Sequence, residues 1–197
     1  MRMTSLDRAF QKKQQAEKIL NELQLIEKWN TIGECYIVGA TAYDLIVTPD
    51  IDLETFCDEI HPQKIMQELA ILVANPNVLE LKYHDYSKSD FDGHYFKIIY
   101  QAEETEWTID MWLFSNKRNG ALSRDLVPFM KAHLTSETRK IILDIKEALI
   151  ERQEDYSSIF IYQAVLEFGI KNVEDFLRWT TTHPITVPFH WQPKLAK

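Results

Sequence analysis

Val38-Gly39-Ala40-Thr41, followed by Ala42-Tyr43-Asp44-Leu45-Ile46-Val47-Thr48-Pro49 and then by Asp50-Ile51-Asp52-Leu53, is the stretch on which the fold of this chain turns. Cys35-Tyr36-Ile37-Val38 is apolar and runs into a glycine, the pattern of a strand closed by a tight turn. Asp50-Ile51-Asp52-Leu53-Glu54-Thr55-Phe56 alternates charged and apolar residues. That period puts Asp50, Asp52 and Glu54 on one face of a strand and Ile51 and Leu53 on the other. Two carboxylates side by side raise each other's proton affinity unless a cation lies between them. A divalent metal that shares phosphate oxygens resolves the conflict, and Mg²⁺ favours one or two carboxylates plus substrate phosphates. A glycine turn after a strand exposes backbone N–H groups that can cradle a phosphate, helped by the helix that follows.

Outward from this stretch the pattern alternates between helix and strand. Residues 5–29 read as a helix that Ser5 caps, with Ile19, Leu23 and Ile26 at helical spacing. A short helix is expected over 42–46, a second longer one over 63–74 behind Pro62, and a strand over 78–83. The polar run 87–93 reads as a loop, and 94–101 with 107–114 as a hairpin. From Ser123 the chain is helical: 126–133, 136–152, 157–168 ending near Gly169, and a last helix capped by Asn172 and running to Trp179. The tail from His183 to Pro193 is punctuated by proline. The reading is an α/β (α+β) fold with a small mixed sheet and flanking helices. It divides into 1–118, an α/β domain with the N-terminal helix, and 119–197, a helical region packed on it.

The second informative feature is Trp107-Thr108-Ile109-Asp110-Met111-Trp112, an apolar strand-like run with a lone acid inside it. An unpaired Asp in such a run needs a reason: either a site or an ion pair, for instance to Lys97 on the neighbouring strand. Taken together, the glycine turn, the nine residues from Thr41 to Pro49, the Asp50-x-Asp52 pair and the later Asp110 resemble the nucleotidyltransferase superfamily related to DNA polymerase beta. The likeness covers about 35–114 and is closest in compactness to small members, antibiotic-modifying ones included. It implies a metal-dependent transfer of a nucleoside monophosphate from an NTP to an acceptor hydroxyl. Asp50, Asp52 and Asp110 would then be the catalytic and metal-holding residues, Gly39, Ala40 and Thr41 would hold the phosphates, and Mg²⁺ or Mn²⁺ would be the cofactor. Position 40 is Ala where that family carries Ser or Gly, so Thr41 is the hydroxyl left to meet a phosphate at a turn expected to be solvated. The rival readings are a catalytically weak nucleotide-binding regulator, an antitoxin-like protein that binds a protein partner through its helical half, and a structural domain without a site.

Charge bounds the partners. The chain of 197 residues carries 22 Lys and Arg against 30 Asp and Glu, a net −8. That sign opposes an extended nucleic-acid surface and leans toward a small-molecule acceptor. Cys35 and Cys57 make no disulfide framework, and the six His residues lack metal-ligand spacing, so zinc is unsupported. No P-loop or dinucleotide-binding glycine pattern is present. No run is long and apolar enough to span a bilayer and no apolar leader follows Met1, so the expected setting is cytoplasmic, without membrane contact. Among the remaining candidates, Glu54 either meets a cationic acceptor, acts as a general base or is solvated. Tyr43 and Asp44 border the nucleotide or belong to the core, Lys88 and Arg124 meet the triphosphate or water, and Trp107 and Trp112 stack a base or pack inside.

Overall fold

The computed structural model describes residues 3–120, 122–183, 185 and 191. Two helices, α1 (Ser5–Leu23) and α2 (Leu25–Asn30), lead into β1 (Glu34–Val38), the short α3 (Gly39–Tyr43) and β2 (Asp50–Cys57). After α4 (Pro62–Ala70) and a 3-10 turn (Ile71–Ala74) come β3 (Val78–Asp85), β4 (His94–Ala102) and β5 (Thr105–Ser115). The rest is α5 (Ser123–His133), α6 (Ser136–Glu151), α7 (Ser158–Phe168) and α8 (Val173–Thr180). Among the described residues no helix is long and apolar enough to cross a membrane.

The five strands form one mixed sheet in the order β1-β2-β5-β4-β3, in which β2 and β5 run parallel and the other pairs antiparallel. This is the expected α/β fold with a small mixed sheet and flanking helices. One face of the sheet is apolar: Ile51, Leu53, Phe96, Ile98, Ile109, Met111 and Leu113 are buried with Leu20, Leu23, Trp29, Ile65 and Leu69 from the first, second and fourth helices. Trp107 belongs to this core, and Trp29 Nε1 donates to Met111 Sδ at 3.1 Å. The C-terminal helices build a second apolar cluster around Ile142, Leu143, Phe160, Ile161 and Phe176, which also takes in Ala9 of α1 and Tyr43 of α3. Helix α1 thus serves both cores, and its Arg8 forks onto Glu147 of α6 at 2.8 and 2.5 Å.

Several local expectations need correction. The single helix over 5–29 is two, because Gln24 takes a left-handed conformation (φ 51°) and ends α1. Thr4, not Ser5, caps α1 through a reciprocal pair with Asp7, whereas Ser5 is buried and donates to Asp144 of α6 at 2.6 Å. The short helix after β1 starts at Gly39 rather than Ala42, so the glycine turn is itself the first turn of α3. Asn172 does cap α8, its side chain accepting from the Asp175 N–H at 2.9 Å. Most of the proline-rich tail lies outside the described residues.

Candidate active site

Asp50, Asp52 and Asp110 come together through strand register. Parallel pairing sets Asp52 opposite Asp110 and Asp50 opposite Thr108, and on the other side of β2 Val38 faces Asp52. Residues directly opposite share a face, so all three acids lie on the side of the sheet away from Ile51, Leu53 and Ile109. The turn after Val38 closes over them. Gly39 has φ +61°, and a Cβ there would sit 2.3 Å from Asp52 Oδ2. Glycine is therefore required twice over, by the left-handed backbone and by the contact with the carboxylate.

The carboxylates differ in their surroundings. Asp52 is half-buried, and its proton affinity is pushed up to about 7, chiefly by burial, then by the negative charges of Asp50 and Asp110, with Lys146 pulling the other way. Asp50 accepts a hydrogen bond from the Thr48 hydroxyl. The Tyr95 hydroxyl donates to Asp110 Oδ1 at 2.5 Å. The alternative of an ion pair to Lys97 is not realised: the two residues are register partners, yet Asp110 makes no ion pair among the described residues.

Lys146 of α6 escaped the sequence reading. It is 7% exposed, its ammonium donates to the Leu45 carbonyl at 2.8 Å, and burial lowers its value to about 8 against the opposing pull of Asp50 and Asp52. A signal was present, since Lys146 falls four residues after Ile142 and three before Leu149, on the buried stripe of its helix. Glu54 is also buried, which corrects the expectation of solvation. Its carboxylate accepts the backbone N–H groups of Ser123 (3.1 Å) and Arg124 (3.0 Å), so it caps α5 and fastens the helical half to β2. Burial raises its proton affinity while those two bonds oppose the rise.

The phosphate turn departs from expectation as well. Ala40 and Thr41 are buried, at 7% and 3% exposure, so the turn is not solvated there. The Thr41 hydroxyl points at the Asp50 carbonyl (3.3 Å), which ties α3 to the start of β2. Tyr43 is core, edge-on to Tyr162 at 5.8 Å between centroids, and Asp44 pairs with Lys13 and, at 3.3 Å, with Arg139. Arg124 lies 3.5 Å over the Phe56 ring, and Lys88 is exposed on its loop. Beyond Asp110 the same face carries an aromatic group in which Trp112 neighbours Tyr95 (5.0 Å), Tyr86 (5.6 Å) and Phe91 (5.5 Å).

Whether these acids suit a metal can be judged from the donors. All are hard oxygen ligands, and burial and the repulsion of Asp50 and Asp110, which raise Asp52, are the costs a divalent cation offsets. As they stand, two of the three are turned to hydroxyl partners, and among the described residues no set of three His, Cys, Asp or Glu side chains is arranged to hold a metal ion. The donor chemistry fits, and each of these two carboxylates keeps a second oxygen besides the one that accepts the hydroxyl.

This is the fold of the nucleotidyltransferases. The chain is similar to solved structures of that fold: the GLD-2/RNP-8 complex (TM-score 0.53, 13% identity, 80% of this chain and 56% of that one). It is similar also to the non-canonical poly(A) polymerase complex GLD-2–GLD-3 (TM-score 0.51, 14% identity, 87% of this chain and 61% of that one). A third likeness is to the E. coli MS115-1 CdnC:HORMA-deltaN complex (TM-score 0.51, 14% identity, 88% of this chain and 64% of that one). The chain thus spans less than two thirds of the length of each. No family model and no curated protein matches the sequence.

Proposed function

We propose that this protein transfers a nucleoside monophosphate from an NTP to the hydroxyl of a small-molecule acceptor, releasing pyrophosphate. The observation that carries the reading is the placement of Asp50, Asp52 and Asp110 on one face of two adjacent parallel strands, with the Gly39 turn pressed against Asp52. Asp50, Asp52 and Asp110 would hold magnesium, which supplies charge neutralisation at the attacking and leaving oxygens when bound. The backbone at Gly39 and Ala40 would orient the phosphates on the β1 flank, and Thr41 would hold that turn in place through Asp50. In-line displacement then brings the acceptor from the opposite flank, where Asp110 takes the proton of its hydroxyl and Tyr95 and Trp112 offer ring faces. The net charge of −8 supports a neutral or cationic acceptor over a polyanion.

One observation favours a second reading, a nucleotide-binding protein of weak activity. Ala40 has no hydroxyl, and that of Thr41 is engaged with Asp50, so no side chain of the turn is free for a phosphate. Two measurements separate the readings. Mg-ATP should raise the melting temperature of the wild type, by an amount equivalent to about 2.7 kcal/mol at a hundredfold excess over Kd, and should raise that of Asp52→Asn far less. Pyrophosphate release across a panel of hydroxyl acceptors then marks the transferase. Binding without release supports the second reading, and no response to Mg-ATP in either protein overturns both.

A further inference from the structure

One surface lies apart from the proposed site: the outer edge of the sheet at β3. This strand pairs with β4 alone, and among the described residues its other edge carries no strand. Leu79 (54% exposed) and Tyr83 (38%) stand on it, and the 3-10 turn beside it adds Ile71 (66%) and Val73 (60%). An unpaired edge next to exposed apolar residues is the arrangement that soluble proteins normally blunt or cover.

What covers it can be read from charge. Two copies related by a twofold axis perpendicular to the sheet pair antiparallel, and opposite residues then keep a common face, so the axis runs between the strands where one residue faces its own copy. Centred on Glu80, the pairing sets Glu80 against Glu80. Centred on Lys82, it sets Lys82 against Lys82. Centred on Leu81, it sets Leu81 on Leu81 and Lys82 on Glu80 twice. Centred on Tyr83, it sets Lys82 on His84 and Leu81 on Asp85. Of these four registers only the one centred on Leu81 sets opposite charges against each other, and it does so twice. Lys82 is also register partner of Lys97 on β4, so a Glu80 arriving from a second copy would meet two cations. A lone Lys within an edge strand guards against indiscriminate pairing; here Glu80, two residues before it, makes the register centred on Leu81 self-complementary. The shift between Val78 and Glu80 confines the regular part of the edge to residues from Glu80 onward, where the charged pairs fall.

We infer that the protein forms a twofold dimer through antiparallel β3–β3 pairing centred on Leu81, making one continuous sheet across two copies. Sedimentation equilibrium over a concentration series tests it with charge swaps. The wild type should dimerise. Lys82→Glu and Glu80→Lys each place like charges opposite one another twice, and should raise the dimer dissociation constant by about tenfold or more. The double variant, Glu80→Lys with Lys82→Glu, restores opposite charges and should recover the dimer. Both positions are exposed, and circular dichroism confirms that each variant folds. Amide protection over 79–83 in the wild type should rise with concentration. A wild type that stays monomeric throughout, single variants that dimerise as it does, or a double variant that stays monomeric overturns the proposal.

Discussion

Replacing Asp52 with Asn should stabilise the metal-free protein, an unusual direction for a change at a half-buried polar residue. The carboxyl is raised from its ordinary 3.8 to about 7 by burial and by Asp50 and Asp110. At about 1.36 kcal/mol per pH unit, ionising it inside the fold costs at most about 4 kcal/mol. Screening by solvent at the half-exposed side brings the expected effect to about 2 kcal/mol. The sign follows from the two states. The unfolded chain ionises Asp52 near 3.8 and the folded one near 7, so its contribution to stability is intact below about pH 4 and is lost as pH rises toward 7. Asparagine has no such loss. In EDTA the two proteins should melt together near pH 4, and at pH 7.5 the variant should melt about 4–8 °C higher for a chain of this size. A variant that melts lower at pH 7.5 would show that Lys146 outweighs the neighbouring carboxylates, because breaking a net-favourable buried pair strands the partner's charge. An equal difference at both pH values would refute the account as well.

Gly39→Ala should lose Mg-ATP binding and about 2 kcal/mol or more of stability by chemical denaturation, since φ +61° disfavours Ala and its Cβ would lie 2.3 Å from Asp52 Oδ2. Ala40→Ser should be destabilised by about 1–2 kcal/mol in the same assay, because position 40 is 7% exposed and the added hydroxyl would be buried; a neutral result would mean that the turn opens in solution. Glu54→Gln keeps one acceptor for the Ser123 and Arg124 N–H groups but removes the charge at the start of α5, and should cost about 1 kcal/mol by denaturation at pH 7.5.

What the sequence discloses of this site is what lies in local periodicity. The alternation around Asp50 and Asp52, and a lone acid inside Trp107–Trp112, are strand signals carried by a few consecutive residues. Parallel register between β2 and β5 then brings the two acids face to face. The spacing of Gly39 is legible for the same reason. The conformation of Gln24 is not, since nothing about a glutamine announces a left-handed residue, and one such residue turned an expected helix into two.

The partners of the acids were hidden for a different reason: they are supplied by segments far along the chain. Lys146 reaches back to Leu45, and the N–H groups of Ser123 and Arg124 reach back to Glu54, across contacts that no local pattern encodes. Both links join the helical half to β2 or to the loop before it. A helical half that were merely appended would leave Glu54 in water and Lys146 on a surface, and neither is so. The helices therefore set the electrostatics of the cleft: Lys146 supplies a buried cation beside Asp50 and Asp52, and α5 receives the charge of Glu54 at its N-terminus. Asp50, Asp52 and Asp110 could be found without them. The proton affinity of Asp52, on which the first prediction rests, could not, because it is the balance of two neighbouring carboxylates, burial, and a lysine from α6.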